Sequence, residues 1–115
     1  MPIHLITEKA TPQQLSEMMV DLGSYVKLAV DVDRKILAGG GKLHADCEAK
    51  LLEIGCNQEN VWGADWFPFP QRVAFESLIN IRSRQGNYSM EIENDNLRMS
   101  VEKVAKKLLA GVKYE

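Results

Sequence analysis

The residue types that can carry out chemistry are concentrated where a glycine run meets a predicted helix. In chain order this junction contains Gly39, Gly40, Gly41, Lys42, His44, Asp46 and Glu48. Consecutive glycines cost backbone entropy, so a folded chain keeps them where φ must be positive or where another group approaches closely. Backbone N–H groups at a helix start can bind an anion, while histidine and carboxylates can transfer protons or bind a metal ion. The junction is therefore the first candidate site.

The glycine run does not match the known phosphate-binding loops. A P-loop has two glycines around a four-residue arc, followed by Lys and Ser or Thr, whereas these glycines are contiguous and Lys42 precedes Leu43. The dinucleotide fingerprint is also absent, because its glycine spacing differs and no βαβ crossover surrounds the run. Two interpretations stay open, an anion or ligand site and a tight strand-to-helix turn, and we prefer the turn.

The polar residues after the glycines allow two arrangements. On a helix, His44 and Glu48 share a face and Asp46 points elsewhere, whereas in an extended chain His44 and Asp46 would share a face. Either arrangement is compatible with acid–base chemistry at His44. The structural alternative, which we prefer, is that His44 or Asp46 caps the helix and that Glu48 complements its positive end.

Metal and thiol chemistry have less support in the sequence. A zinc site needs three or more ligands, so the junction would have to recruit Asp31, Asp65 or Glu76 from the sheet, and we predict no metal site. Cys47 lies one helical turn from His44, which permits a thiol–imidazole pair. No third residue that would orient this pair can be named, and cysteine in an early helical turn is more often a packing residue.

A second group of candidate residues surrounds a predicted β-hairpin. Gly86-Asn87 suits a two-residue turn and separates two strand-like runs, residues 78–82 and 89–93. The register that satisfies both faces pairs Ile81 with Ile92 and Arg82 with Glu91.

Side chains at the tip of this hairpin could bind a ligand. Arg82, Arg84, Asn87 and Tyr88 could hold a phosphate or carboxylate there. Glu91 is a candidate ligand-binding residue because the register places it beside Arg82. Alternatively, the exposed arginines pair with nearby glutamates, which stabilises the fold little.

The elements that position these residues follow from hydrophobic periodicity and from caps. The capping box Thr11-Pro12-Gln13-Gln14 begins the first helix, Asn94-Asp95 begins the last, and a glycine ends each helix. Strands are predicted over 3–8, 26–32, 36–39, 61–67, 72–76, 78–82 and 89–93, and helices from Thr11 to Gly23, over 45–54 and from Asn94 to Gly111. Hairpins dominate this order, so we predict an α+β fold, a mainly antiparallel sheet of hairpins with about three helices packed on one face.

The two tryptophans fall on one side of the predicted strand 61–67. Trp62 and Trp66 alternate with Gly63 and Asp65, so both rings face the same way. We predict that both are buried between the sheet and a helix. The alternative is a stacking platform for a base or a sugar.

Length and composition restrict the classes of protein to consider. With 115 residues, 45% hydrophobic and 26% charged, the chain is expected to form a single compact domain over residues 1–115. The net charge of -2 argues against a nucleic-acid partner, and no apolar run approaches the roughly 20 residues of a membrane span. The start, Met1 to His4, lacks a secretion signal, and Cys47 and Cys56 do not have CxxC spacing. We therefore expect a cytoplasmic protein with two free thiols.

Several segments of the chain, taken together, resemble a family of small, uncharacterised bacterial and archaeal proteins known as a domain of unknown function. They are Gly40-Gly41-Lys42-Leu43-His44-Ala45-Asp46-Cys47-Glu48, Val61-Trp62-Gly63, Ile79-Asn80-Ile81-Arg82 and Gln85-Gly86-Asn87-Tyr88-Ser89-Met90-Glu91-Ile92. The likeness runs from about Ile3 to Leu108. It implies a compact single-domain intracellular protein with no assigned activity, cofactor, partner or catalytic residue.

Two hypotheses of function from different classes follow. The preferred one is a non-enzymatic interaction or regulatory module, which could be a homo-oligomer or could bind a protein partner, because no complete catalytic constellation can be assembled. The alternative is a small ligand-binding domain or enzyme with an anion or metal site at the junction of Gly39–Gly41 with His44. The sequence identifies neither a ligand nor a cofactor. Convergence of His44, Asp46, Arg82 and Glu91 in one pocket would favour the alternative.

Overall fold

A computed structural model describes residues 3–114 of the chain. Its elements are β1 (His4–Ile6), α1 (Pro12–Met18), β2 (Val26–Asp31), β3 (Ile36–Gly39), α2 (His44–Glu53), β4 (Val61–Phe67), β5 (Arg72–Ala74) and α3 (Asp95–Leu109), with short 3₁₀ turns at Gln58–Asn60, Leu78–Asn80 and Ser83–Gln85. The strands form one antiparallel sheet in the order β1-β3-β2-β4-β5. The predicted α+β class, with a mainly antiparallel sheet and three helices, is confirmed for the described residues.

The helices lie on both faces of this sheet, which corrects the expectation of a single covered face. α1 and α3 pack with Leu28, Trp62 and Trp66 in the larger apolar cluster. α2 packs on the opposite face against a smaller cluster that includes Ala29 and Ala38. The sequence did not indicate this second covered face, because the charged residues Lys27 and Asp31 alternate with the larger apolar residues of β2. Alanine supplies little apolar signal, yet its small side chain lets a helix approach the sheet closely.

The caps and the tryptophans agree with their predicted roles. The Thr11 hydroxyl accepts a hydrogen bond from the Gln14 backbone while the Gln14 side chain accepts one from the Thr11 backbone, which completes the capping box. The Asn94 side chain caps α3. Trp62 and Trp66 are both buried against the helices of the larger cluster, as predicted. Among the described residues, no helix has both the length and the apolar character that crossing a membrane requires.

The segment from residue 75 to residue 93 does not form the predicted hairpin. It contains two 3₁₀ turns and two isolated bridges, Glu76 with Glu91 and Arg82 with Asn87. The predicted pairing of Arg82 with Glu91 is therefore wrong. The pairing of Ile81 with Ile92 is wrong as well, since Ile81 is exposed while Ile92 is fully buried.

Two buried asparagine side chains explain this irregular backbone. Asn80 accepts a hydrogen bond from the Gly63 N–H (2.8 Å) and donates one to the Gly63 carbonyl (3.0 Å), as a neighbouring strand would. Asn87 in turn donates to the Asn80 carbonyl at 2.7 Å. Gly86 has the expected positive φ of 76°, but it lies in a loop that the backbones of Arg82 and Asn87 close. Side chains thus make the bonds that strand pairing would have made.

Candidate functional site

The three glycines of the junction are buried and close the turn between β3 and α2. A Cβ atom on Gly39 would lie 2.8 Å from the Leu28 side chain, so β3 can approach the core only with glycine at this position. Gly40 has φ 103°, which favours glycine. A Cβ on Gly41 would lie 3.2 Å from the Cys47 sulfur. These backbones face the interior, and this geometry supports the turn interpretation rather than an exposed anion cradle.

His44 is the first residue of α2 and contacts β4. Its Nε2 lies 2.8 Å from Oδ1 of Asp65 and 3.1 Å from the carbonyl oxygen of Ala64. The side chains of His44 and Asp65 are only 11% and 13% exposed. Neither His44 nor Asp46 caps the helix through its side chain, because the cap residue is Leu43 and no side chain bonds the free N–H groups there.

The contacts of His44 determine which ring nitrogen carries the proton. Both partners of Nε2 are oxygen acceptors, so the neutral ring must hold its proton on Nε2 and its lone pair on Nδ1. Both hydrogen bonds of His44 use Nε2, so Nδ1 has no hydrogen-bond partner in the described part of the chain. Between residues 3 and 114, Trp66 Nε1 is the one side-chain polar atom that is both fully buried and unpaired. The unpaired Nδ1 of His44 is therefore accessible to solvent. His44 is thus held in a fixed orientation through Nε2, and its Nδ1 remains unused by the described residues.

The sequence of β4 accounts for the position of Asp65. Successive side chains of a strand point to opposite faces, so Ala64 packs in the larger cluster while Asp65 projects toward α2. Lys27 lies directly opposite Asp65 in the register of β2 and β4. The Lys27 ammonium donates to the Lys42 carbonyl at 2.9 Å and so extends toward the start of α2.

A cavity of about 350 Å³ lies between the start of α2, the sheet and the segment after β5. Its polar lining residues are Tyr25, Lys27, His44, Asp65, Glu76 and Ser77, and its apolar lining residues are Leu43, Ala45, Leu78, Ile79 and Met90. Volumes of this order accommodate a small ligand. We call this space the His44 cavity.

Glu48, one turn after His44, belongs to a second cluster centred on Arg82. Nη2 of Arg82 lies 3.3 Å from the Glu48 carboxylate and also donates to the Val61 carbonyl. The other Arg82 nitrogens donate to backbone carbonyls, Nε to Ile79 at 2.9 Å and Nη1 to Gln58 at 2.7 Å. The guanidinium also lies over the Trp62 ring, 4.4 Å from its centroid. Burial lowers the pKa of Arg82, and the Glu48 carboxylate acts in the opposite direction.

The remaining predicted site residues do not join His44. Lys42 is exposed, and Asp46 is half-buried in the first turn of α2. Asn87 is buried and uses its side chain to hold the surrounding loop. Glu91 is exposed, and its carboxylate lies 3.8 Å from Arg98. His44, Asp46, Arg82 and Glu91 therefore do not meet in one pocket.

Thiol and metal chemistry gain no support from the geometry. Cys47 donates to the Lys27 carbonyl at 3.4 Å rather than to His44. Both cysteines are buried and free, and burial raises the pKa of each thiol to about 11, which leaves little reactive thiolate at neutral pH. Between residues 3 and 114, no three His, Cys, Asp or Glu side chains come together as metal ligands.

Sequence reasoning recognised His44 but not the pair that it forms. Asp65 was considered only as a further metal ligand, although its alternation with Trp62 and Trp66 places it on the face opposite the tryptophans. No pattern in the sequence predicted that Ser77 would line the cavity, because its position depends on the irregular segment that begins at Phe75.

The fold and the site define a small α+β protein with a histidine–carboxylate pair on the wall of a cavity. Residues 4–108 match the family described as "Protein of unknown function (DUF5674)", and the chain belongs to this family. No curated protein and no solved structure matches the chain.

Proposed function

We propose that the protein binds a small polar ligand in the His44 cavity and that His44 exchanges a proton with this ligand. The observation that carries the proposal is the 2.8 Å contact between Nε2 of His44 and the Asp65 carboxylate, made across 21 residues of chain on the cavity wall. A histidine that only occupies the first position of a helix has no need of a partner from the sheet.

Asp65 would assist this proton transfer in two ways. It fixes the ring orientation and the tautomer, so Nδ1 presents its lone pair to the ligand. It also stabilises the imidazolium that forms when Nδ1 takes a proton. His44 would act as general base toward the ligand and then as general acid when the proton returns.

The test compares the two histidines of the chain. His4 also contacts a carboxylate, with its Nε2 2.8 Å from Glu17, but its side chain is 26% exposed on another part of the surface. We would screen nucleotides, sugar phosphates, amino acids and alkylamines by thermal shift, and follow both rings by NMR. A ligand at a hundred times its dissociation constant stabilises the fold by about 2.7 kcal/mol. The proposal requires a thermal shift that is lost in His44→Ala and kept in His4→Ala. A ligand that stabilises the protein but changes the NMR signals of neither histidine ring contradicts it.

The rim of the cavity favours a second candidate, the interaction module preferred from the sequence. Leu43, Leu78 and Met90 are 58%, 71% and 37% exposed around one opening, and grouped apolar side chains often mark contact surfaces. If the protein forms a homo-oligomer through this rim, Leu78→Ser should abolish concentration-dependent dimerisation in analytical ultracentrifugation. Met99→Ser, on the exposed side of α3, is the control.

We further propose that residues 1–115 act as one domain in the cytoplasm of a bacterial or archaeal cell. Two free thiols suit a reducing compartment. The segments that carry the family resemblance also support a shared function, because they surround one region. The first contributes His44 and Glu48, the second is part of β4, the third contributes Ile79 and Arg82, and the fourth contributes Met90.

A further inference from the structure

The His44 cavity has a charge imbalance that a bound ligand would correct. Its charged lining consists of two carboxylates, Asp65 and Glu76, and one ammonium, Lys27, which leaves one net negative charge while His44 is neutral. Within residues 3–114, Asp65 has a hydrogen-bond contact with His44, and Glu76 has no ion-pair partner. The Lys27 ammonium bonds to the Lys42 carbonyl instead of either carboxylate.

The surroundings of Glu76 make this imbalance more pronounced. The backbone bridge places Glu76 directly opposite Glu91, and like charges that face each other across strands destabilise the pair. Glu91 has Arg98 within 3.8 Å, whereas Glu76 lines the cavity. Natural sequences tolerate such local conflicts mainly at functional sites.

Apolar side chains complete the environment. Leu43, Leu78 and Met90 line the same cavity and are substantially exposed. A ligand that reaches the carboxylates passes these side chains, so an aliphatic stem would bury apolar surface on the way. The side chains of lysine and arginine combine these properties, a charged head on an apolar stem.

We infer that the ligand of the His44 cavity is a monocation, an ammonium or guanidinium group on an aliphatic stem. The inference rests on the proposed function, since it names the chemical class of that ligand. The cation lies between Asp65 and Glu76, and the stem contacts Leu43, Leu78 and Met90. An N–H group of the cation can donate a hydrogen bond to Nδ1 of His44. Because an ammonium or guanidinium keeps its proton at neutral pH, the proton that His44 exchanges must come from another polar group of the same ligand.

Three probes of equal length test this inference: pentylamine, pentanol and pentanoate. Each is titrated into the full chain at constant ionic strength while the ring signals of His44 are followed by NMR. We expect pentylamine to bind at least about tenfold more tightly than the other two. Glu76→Gln should weaken pentylamine binding, whereas Glu8→Gln, which replaces an exposed glutamate outside the cavity lining, should leave it unchanged.

A fourth probe distinguishes a free amine from a protein side chain. A blocked tripeptide with central lysine is compared with its norleucine counterpart, which lacks the ammonium group. If the lysine peptide binds more tightly than pentylamine, the natural ligand is a lysine side chain of a partner protein. If pentylamine binds more tightly, the natural ligand is a free amine. Both results support the inference.

Three outcomes overturn the inference. If pentanol or pentanoate moves the His44 ring as effectively as pentylamine, the cavity binds ligands without selecting cations, and the proposed function survives alone. If pentylamine leaves the His44 ring unmoved while a ligand of the wider screen shifts it, the class is likewise wrong and the proposed function holds. If no compound of either set moves the ring, both fail.

Discussion

Arg82 and His44 differ in how much of their hydrogen-bonding capacity the fold uses. Arg82 employs all three of its side-chain nitrogens on partners within the chain, and its guanidinium plane is covered by Trp62. His44 employs Nε2 alone. A fully satisfied cation has nothing left for a ligand, whereas an oriented imidazole with a free nitrogen does. We therefore expect Arg82 to contribute to stability, and we expect the proposed function to depend on His44.

Replacement of Arg82 tests this expectation. Arg82→Lys keeps the charge but cannot reach Glu48 and the surrounding carbonyls at once, because an ammonium lacks the planar fork of a guanidinium. Because the charge stays, the expected loss is that of buried carbonyls left without a donor, about 1–3 kcal/mol. Urea denaturation measures it, with Arg84→Lys, an exposed neighbour, as control. Equal stabilities of the two variants would contradict the expectation.

The buried thiol of Cys47 predicts a specific loss of stability at high pH. Burial raises its pKa from the ordinary value of 9.0 to about 11. The folded chain therefore holds this proton more tightly than the unfolded chain, so the stabilising contribution is complete below pH 9 and is lost as the pH rises toward 11. We expect the unfolding free energy of the wild type to fall by about 2 kcal/mol more than that of Cys47→Ala across this interval. Parallel pH profiles would show that the prediction is wrong.

Local residue types correctly predicted where α1 and α3 begin. Thr11 and Asn94 were recognised as caps because their side chains bond backbone groups a few residues away. The pairs His44–Asp65 and Glu48–Arg82 could not be recognised in this way. Each joins elements far apart in the chain, and no alternation or spacing within one element specifies such a partner.

On the scale of elements, the segment between β5 and α3 shows how side chains can displace a strand pairing. The alternation of apolar and polar residues in 78–82 and 89–93 is typical of strands, and the structure nevertheless contains 3₁₀ turns there. Asn80 occupies the position along β4 that a further strand would take, and bonds both backbone groups of Gly63. Propensity alone does not reveal such a bond, because it depends on a glycine 17 residues earlier.

Removal of the Asn80 side chain should loosen this segment. In Asn80→Ala the buried N–H and carbonyl of Gly63 lose their partners, while the carbonyls of Phe75 and Met90 each lose one hydrogen bond and keep a backbone donor. A buried polar group left unpaired costs about 1–3 kcal/mol, so we expect a loss of at least this size. Amide hydrogen exchange should become faster between residues 75 and 93 before it changes in β2. Asn96→Ala, on the surface of α3, is the control, and unchanged exchange in the segment would contradict the assigned role of Asn80.

In the whole molecule, the sheet separates a side that is packed with large apolar residues from a side that contains the His44 cavity. α1 and α3 cover the tryptophan face with the larger apolar cluster. α2 and the irregular segment share the opposite face, where the smaller cluster leaves room for the His44 cavity. Binary patterning predicted the first side, since its apolar residues are large and regularly spaced. The second side depends on small residues and on charged residues with distant partners, which composition does not reveal.

β4 and the irregular segment are in close contact at Gly63, so this residue connects the sheet to the cavity wall. A Cβ atom at this position would lie 2.5 Å from Cβ and 2.7 Å from Oγ of Ser77, too close for the present packing. Gly63→Ala should therefore push Ser77 and the adjoining cavity wall away from β4. Overpacking of this kind costs about 1–3 kcal/mol.

A double-mutant cycle separates this contact from a general effect on β4. Ser77→Gly removes both clashing atoms, at the cost of the hydrogen bond that the Ser77 hydroxyl accepts from the Ile79 N–H. Because Ile79 also lies 3.0 Å from the added Cβ, recovery should be partial. We expect the two substitutions to be less destabilising together than their separate effects add up to, by about 1 kcal/mol. The His44 ring signals should move in Gly63→Ala and return toward their original positions in the double variant. Additive losses, or an unmoved His44 ring, would mean that the sheet and the cavity wall respond independently.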